Sequence, residues 1–280
     1  MTSVPISRRR FLAGAGVGVA AAGLGGGDMF LVEPRRVLVS RYDVTLPGLA
    51  RELDGVRIAQ ISDVHLPANR PAAERTVELI AAERPEIVVL TGDQCETVAG
   101  LAELVAFVGA VRGTAATLAV LGNWDYRGGT VGDVARDAYA KAGATLLINE
   151  HAVVRVGGAE LAFAGLDDVL AGGADLGAAA AGVPAGVELI GVVHEPGFTD
   201  QAPPAGVPAP ALTLSGHTHG GQIRIPGVPA YTPTGSGRFV AGWYQARWSR
   251  LYVSRGIGTA DIRARLFCPP ELPIFTLRRS

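Results

Sequence analysis

"VRIAQISDVH", residues 56–65, is a short apolar run that stops on a carboxylate and an imidazole. Val56 to Ser62 reads as a strand buried on both faces, because such strands are near-continuous in apolar residues. An open α/β sheet places its ligand-binding groups at the C-terminal ends of its strands. The same arrangement recurs four times: Ile87 to Leu90 runs into Thr91-Gly92-Asp93, Leu118 to Leu121 into Gly122-Asn123-Trp124-Asp125, Leu189 to Val193 into His194, and Leu212 to Ser215 into Gly216-His217-Thr218-His219. Taken singly, Asp63 or Asp93 could cap a helix, Asn123 could serve a turn and His194 could be a core histidine. Five strand ends that each deliver an oxygen or nitrogen donor are hard to obtain from capping alone. In extended chain His217 and His219 also project to one side.

Helical patterns separate the early strands: Ala72 to Ala82, Leu101 to Val111 and Val131 to Ala142. With a further strand over Val37 to Leu46, this alternation predicts an α/β domain with a parallel core. After Thr145 the chain is strand-rich, with Thr145–Asn149, Ala152–Val156, Leu161–Leu166, Leu189–Val193, Leu212–Ser215, Gln222–Ile225, Leu251–Ser254 and Ile274–Leu277. A second sheet packed on the first accommodates them. Gly172–Gly186 reads as a weak helix or loop and the proline-rich Pro196–Pro210 as a surface loop. Without a separating linker, residues 28–280 are expected to form one domain.

Residues 1–27 read as an address. Three arginines precede a glycine-diluted apolar run from Phe11 to about Leu24, the layout of a signal segment. Ser7-Arg8-Arg9-Arg10-Phe11-Leu12 resembles the twin-arginine export motif. No clean cleavage site precedes Asp28, so both removal and retention as a membrane anchor are open. The chain has 25 Lys+Arg against 26 Asp+Glu, and residues 1–27 hold three of the arginines and no acid before Asp28. The remainder is acidic and has no bulk attraction for nucleic acid. The two cysteines, Cys95 and Cys268, lack the spacing of a thiolate zinc site. They read as a single bridge or as two small buried residues.

The donor inventory, two Asp, one Asn and four His without thiolates, suits a pair of Mn, Fe or Zn ions. His151, the remaining histidine, falls at no strand end and reads as surface. The order D-x-H, G-D, G-N-x-D, a lone His and G-H-x-H resembles the calcineurin-like metallophosphoesterases. "SGHTHGGQIRIP" and "SRGIGTADIRARLFCPPEL", with the export-like start, are similar to an exported bacterial phosphodiesterase branch of that family. The resemblance implies two mixed sheets packed face to face and flanked by helices. It also implies that Asp63, His65, Asp93 and His219 hold one metal while Asp93, Asn123, His194 and His217 hold the other, with Asp93 bridging. A hydroxide between the ions would then attack phosphorus in line. Asp93, Asn123, Trp124 and Asp125 are the expected catalytic residues.

This chain departs from the family at one position. The usual third motif is G-N-H-[DE], and Trp124 stands where that histidine would stabilise the transition state or protonate the leaving group. An indole N–H donates a hydrogen bond but transfers no proton near neutral pH. The expected activity is a phosphodiesterase acting outside the cytoplasmic membrane on small-molecule or envelope phosphoesters, after export by the twin-arginine machinery. The rival reading is a catalytically silent metal-binding envelope protein. Leu46, Leu49 and Phe239 to Trp248 read as a core edge or as an apolar lip for lipid.

Overall fold

Alternate residues of the buried strands feed two different cores. On β2 (Arg57–Ile61), Ile58 faces one core while Ala59 and Ile61 face another; on β3 (Ile87–Thr91), Ile87 and Val89 separate in the same way from Val88 and Leu90. This is the two-residue period of a strand with both faces covered. The computed structural model describes residues 27–280, so the segment read as an export signal lies, apart from Gly27, outside the described residues.

The first sheet takes β1 (Leu38–Leu46), β2, β3, β4 (Ala116–Val120), β5 (Thr145–Leu146) and β12 (Glu271–Arg279), in the order β1-β12-β2-β3-β4-β5. The second takes β6 (Glu150–Val156), β7 (Ala159–Gly165), β8 (Glu188–Val192), β9 (Leu212–Ser215), β10 (Gly242–Gln245) and β11 (Arg250–Val253), in the order β10-β11-β9-β8-β7-β6. Both are mixed: β12 runs antiparallel to β2, and β10 and β6 run antiparallel to their neighbours. Ile58, Val89 and Val120 of the first sheet meet Phe163, Ile190 and Leu214 of the second in a shared core. The outer face of the first sheet is covered by α1 (Arg70–Glu83), α2 (Leu101–Ala110) and α4 (Gly132–Lys141), and that of the second by α5 (Leu176–Ala180). The expected two-sheet α/β sandwich is therefore the observed fold.

Several local expectations are corrected. Gln222–Ile225 is not a strand: Gln222 has φ +48°, and a single bridge joins Ile223 to Leu266. The Gly220-Gly221 pair, both at positive φ, turns the chain there, and the Gln222 side-chain amide donates to Ala260 O and Ile262 O. The last strand begins at Glu271, ahead of the expected Ile274, and lies between β1 and β2. Within Gly172–Gly186 only Leu176–Ala180 is helical, capped by Asp175, which accepts from Ala178 N at 3.0 Å. Leu46, Leu49, Phe239 and Trp248 are buried, so that stretch is core, although Trp243 and Tyr244 within it are only half-buried. Cys95 and Cys268 are free and buried. His151 is half-buried on the edge strand β6. No helix among the described residues is long and apolar enough to cross a membrane.

Arg265, fully buried, ties together the loops beside the strand ends. Its guanidinium donates to the carbonyls of Gly258, Arg255 and Cys268, and at 3.4 Å to that of His219. A buried donor array of this kind is costly to remove, because the carbonyls lose their partners. Arg265→Met is expected to lower unfolding free energy by about 3 kcal/mol. Chemical denaturation of both proteins measures the difference, and a loss within experimental error would show that water replaces the guanidinium.

Candidate metal centre

The site sits where the C-terminal ends of the two sheets meet. Asp63 and His65 follow β2, Asp93 follows β3, Asn123 opens the short helix α3 (Asn123–Arg127) after β4, His194 follows β8, and His217 and His219 follow β9. The buried side chain of Gln60 clamps the sheets together here, donating to Thr91 Oγ1 at 3.1 Å in one and to Ser215 O at 2.9 Å in the other. Two glycines permit the close approach. A Cβ on Gly92, which has φ +91°, would strike the His194 ring, and one on Gly216 would strike Ser62 Oγ and Asp63. Asp63, His65, Asp93, His217 and His219 all have φ between +49° and +70°. Left-handed backbone is uncommon for non-glycine residues and clusters at functional sites.

All seven expected donors converge. Asp63, His65 and His219 form one buried triad and Asp93, His194 and His217 a second, each with its donor atoms within 4.8 Å of one another. Asp93 Oδ2 lies 3.2 Å from His194 Nε2 and 3.7 Å from His65 Nε2, between the two triads. His65 Nε2 and His219 Nε2 are 3.1 Å apart, and Asp63 Oδ1 is 3.5 Å from His219 Nε2. Asn123 Oδ1 joins the second triad, 3.1 Å from His217 Nδ1.

The far sides of three of the four rings have protein partners. His194 Nδ1 donates to Thr91 O at 2.7 Å, leaving Nε2 free toward Asp93, and His217 Nε2 donates to Thr234 O at 2.7 Å, leaving Nδ1 free toward Asn123 and His194. His65 Nδ1 lies 3.3 Å from Glu96 Oε1, and Arg263 in turn pairs with Glu96 at 2.7 Å. Such outer partners fix the tautomer and aim of a ligating imidazole.

Charge here is poorly compensated by protein alone. Burial, then the neighbouring His194, pushes the His217 pKa down to about 4. Burial, then His65 and Arg265, pushes His219 well below the imidazole range. Burial opposes charge on His194 too, but Asp93 outweighs it and holds that ring well above the usual value. On Asp93 burial is outweighed by the imidazoles, His194 first, so its carboxyl titrates below the usual range, whereas burial raises Asp63. His219 Nδ1 is buried with no hydrogen-bond partner in the protein. Neutral His217 and His219 beside converging carboxylates fit a pair of divalent cations, which would also draw the proton from His194 and favour the ionised carboxyl of Asp63.

Two of the expected catalytic residues lie outside the donor set. Asp125, expected among the catalytic groups, is fully buried and turned away from the donors. One oxygen accepts from Asp93 N at 2.8 Å and Gly122 N at 2.9 Å, the other from Cys95 N at 3.0 Å and Gln94 N at 3.2 Å. It is a positioning residue for the Asp93 loop, and burial with the charge of Asp93 lifts its pKa to about 7. Asp125→Asn turns an acceptor into a partial donor against four amides, and is expected to weaken metal binding roughly 10- to 100-fold. Competition with a chelator measures this, and unchanged affinity would remove Asp125 from the frame. Trp124 is half-buried at the rim. Its ring meets His65 edge-on at 5.5 Å, Arg127 lays its guanidinium 4.3 Å above it, and its backbone N–H donates to Asp93 Oδ1 at 2.7 Å.

Sequence reasoning missed Glu96, Arg127 and the buried pair of Asp168 and Glu195, in which burial and Asp168 lift Glu195 to about 9 against the opposing charge of His194. The position of Glu96, shortly after Asp93 on the same loop, was the available signal for that carboxylate.

Comparison with known proteins agrees with this chemistry. Residues 56–236 match the calcineurin-like phosphoesterase superfamily domain. The chain is 30% identical to the uncharacterized metallophosphoesterase YkuE of Bacillus subtilis, covering 98% of this chain and 99% of that protein. It is 27% identical to the phosphodiesterase YaeI of Escherichia coli, covering 97% and 99%. Among solved structures, the 5'-nucleotidase precursor from Thermus thermophilus aligns with a TM-score of 0.47 at 14% identity, over 79% of this chain and 54% of that one. With the match spanning five strand ends and both buried triads, this chain belongs to the calcineurin-like phosphoesterase superfamily, as a metallophosphoesterase.

Proposed function

We propose that this metallophosphoesterase is a phosphodiesterase working outside the cytoplasmic membrane on an envelope or small-molecule phosphodiester. The observation that carries the reading is the placement of Asp93 between two buried triads, one donor set continuous with the other. Two divalent ions bound there would lower the pKa of a water and neutralise charge on the phosphate oxygens.

The chain's own residues do the rest. His65, His194, His217 and His219 present nitrogens that are held by Glu96, Thr91, Thr234 or burial, so little reorganisation is needed on binding. Arg127, laid on Trp124, offers one cation at the rim, matching the single charge of a diester better than the double charge of a monoester. Trp124 supplies no proton, so the departing oxygen leaves as an anion or takes its proton from water. The full-length likeness to a named phosphodiesterase supports diester preference. Ser7-Arg8-Arg9-Arg10-Phe11-Leu12 supports export through the twin-arginine machinery, and Arg8→Lys combined with Arg9→Lys is expected to leave the chain in the cytoplasm, as cell fractionation would report.

Hydrolysis of bis-p-nitrophenyl phosphate and p-nitrophenyl phosphate by the protein loaded with Mn, Fe or Zn tests the activity. Faster diester cleavage is expected. Cleavage of the monoester alone would overturn the diester assignment, and full metal occupancy with neither reaction would favour the catalytically silent alternative.

A further inference from the structure

Exposed apolar side chains are concentrated on one face. Of twelve large hydrophobic residues exposed among the described residues, eight fall in three segments that touch one another beside the metal centre. The helical turn at Asp28–Val32 presents Phe30, Leu31 and Val32. The loop after His219 presents Ile225, Val228 and Tyr231, the last 83% exposed. The loop over residues 260–267 presents Ile262 and Phe267.

Hydrogen bonds weld the three together. Arg265 N donates to Met29 O at 2.9 Å, and Glu33 accepts from the amides of Phe267 and Cys268. Arg224 N donates to Leu266 O and Leu266 N to Gln222 O. A mainly apolar groove of about 300 Å³ opens between two of these loops, with Thr218 and His219 at one side and Tyr231 and Ile262 at the other. His219 belongs to the first triad, so the groove and the donor set share a wall.

Exposed apolar side chains gathered in this way mark interaction surfaces of soluble proteins. We propose that this face seats in the interfacial region of a lipid bilayer, placing the mouth of the metal centre against the headgroups. The occupant follows from what adjoins the patch. Residues 1–26 join the described chain at Gly27, on this face, and their sequence passes from Arg8-Arg9-Arg10 through an uncharged apolar run from Phe11 to Leu24. That composition suits an anionic headgroup layer and its hydrocarbon border. Exposed Arg35 and Arg36 flank the Phe30–Val32 turn, and exposed Tyr231 has the amphipathic ring favoured at that depth. The corollary that the substrate is a lipid-borne phosphoester rests on the proposed phosphodiesterase reading; the seating itself does not.

The test uses the full chain with an environment-sensitive NBD label on a cysteine introduced as Ile262→Cys, Phe267→Cys or Ile225→Cys, the native Cys95 and Cys268 being buried. Val153→Cys, exposed on β6 at the far edge of the second sheet, is the control. On phosphatidylcholine–phosphatidylglycerol vesicles, the labels at 225, 262 and 267 are expected to brighten severalfold and shift to the blue, while the label at 153 stays unchanged. Co-sedimentation without brightening at those three sites would mean that the N-terminal segment alone tethers the chain, and would overturn the proposal. So would absence of binding, or labels already bright before vesicles are added, which would mean that the chain's own N-terminal residues cover the face. Bis-p-nitrophenyl phosphate hydrolysis by each labelled variant reports the metal centre separately, so failure of the activity reading is distinguished from failure of the seating.

Discussion

Asp93→Ala is expected to abolish diester hydrolysis, by more than roughly 10³-fold in kcat/KM, and to reduce metal content at the two triads to one ion or none. Among the described residues, Asp93 is the one carboxylate within 4 Å of imidazole nitrogens from both triads, and its other oxygen is pinned by the Trp124 amide. Two cations a few ångströms apart repel strongly unless an anion lies between them. Alanine removes that anion and leaves His65 and His194 facing a gap with no shared carboxylate, so that two cations bound there would repel each other uncompensated. Elemental analysis and turnover on bis-p-nitrophenyl phosphate, measured together, check the claim. Retention of both ions by the variant would mean that the bridging position belongs to another group.

Trp124→His is expected to act in the opposite direction. On diesters with alkyl leaving groups the variant should gain roughly 10²-fold or more in turnover, since a general acid is worth roughly 10²- to 10⁴-fold. On bis-p-nitrophenyl phosphate, whose leaving group needs no proton, the gain should be small. Metal content should not change: the side chain at 124 touches the His65 ring by its edge only, and the bond to Asp93 comes from the backbone. Loss of metal in the variant would place this residue's side chain in the support of His65, and equal rates on both leaving groups would deny it a place near the departing oxygen. Imidazole is smaller than indole and offers less surface for stacking, so Arg127 would lose its platform. A rise in KM alongside kcat would report that loss.

What was legible in the sequence was the set of strand ends. A buried run of β-branched residues ending in Asp, Asn or His can be seen without coordinates, and Asp63, His65, Asp93, Asn123, His194, His217 and His219 all lie where that reading put them. Pair geometry was less legible. Nothing in "ELPIFTLRR" says that β12 inserts between β1 and β2, because strand order is a matter of tertiary packing and the same apolar pattern serves parallel and antiparallel neighbours. Gln222–Ile225 has alternating character, yet the preceding glycine pair and the reach of the Gln222 amide to the 260–262 loop override it. The place of Asp125 was illegible for a related reason. A carboxylate beside a catalytic loop looks the same in one dimension whether it faces substrate or backbone, and only its four amide partners separate the two roles. Arg265 gave no signal at all, since a buried guanidinium bonded to carbonyls has no characteristic spacing.

The left-handed backbone at five donor positions ties stability to loading. At about 1 kcal/mol or more for each such residue, the strain is on the order of 5 kcal/mol, a sizeable share of what an ordinary domain has in reserve. Cations filling the triads would offset it only in the folded chain, and so would act as folding ligands. Scarcity of such cations would then curtail the working lifetime of this protein, through proteolysis, before it curtailed its rate.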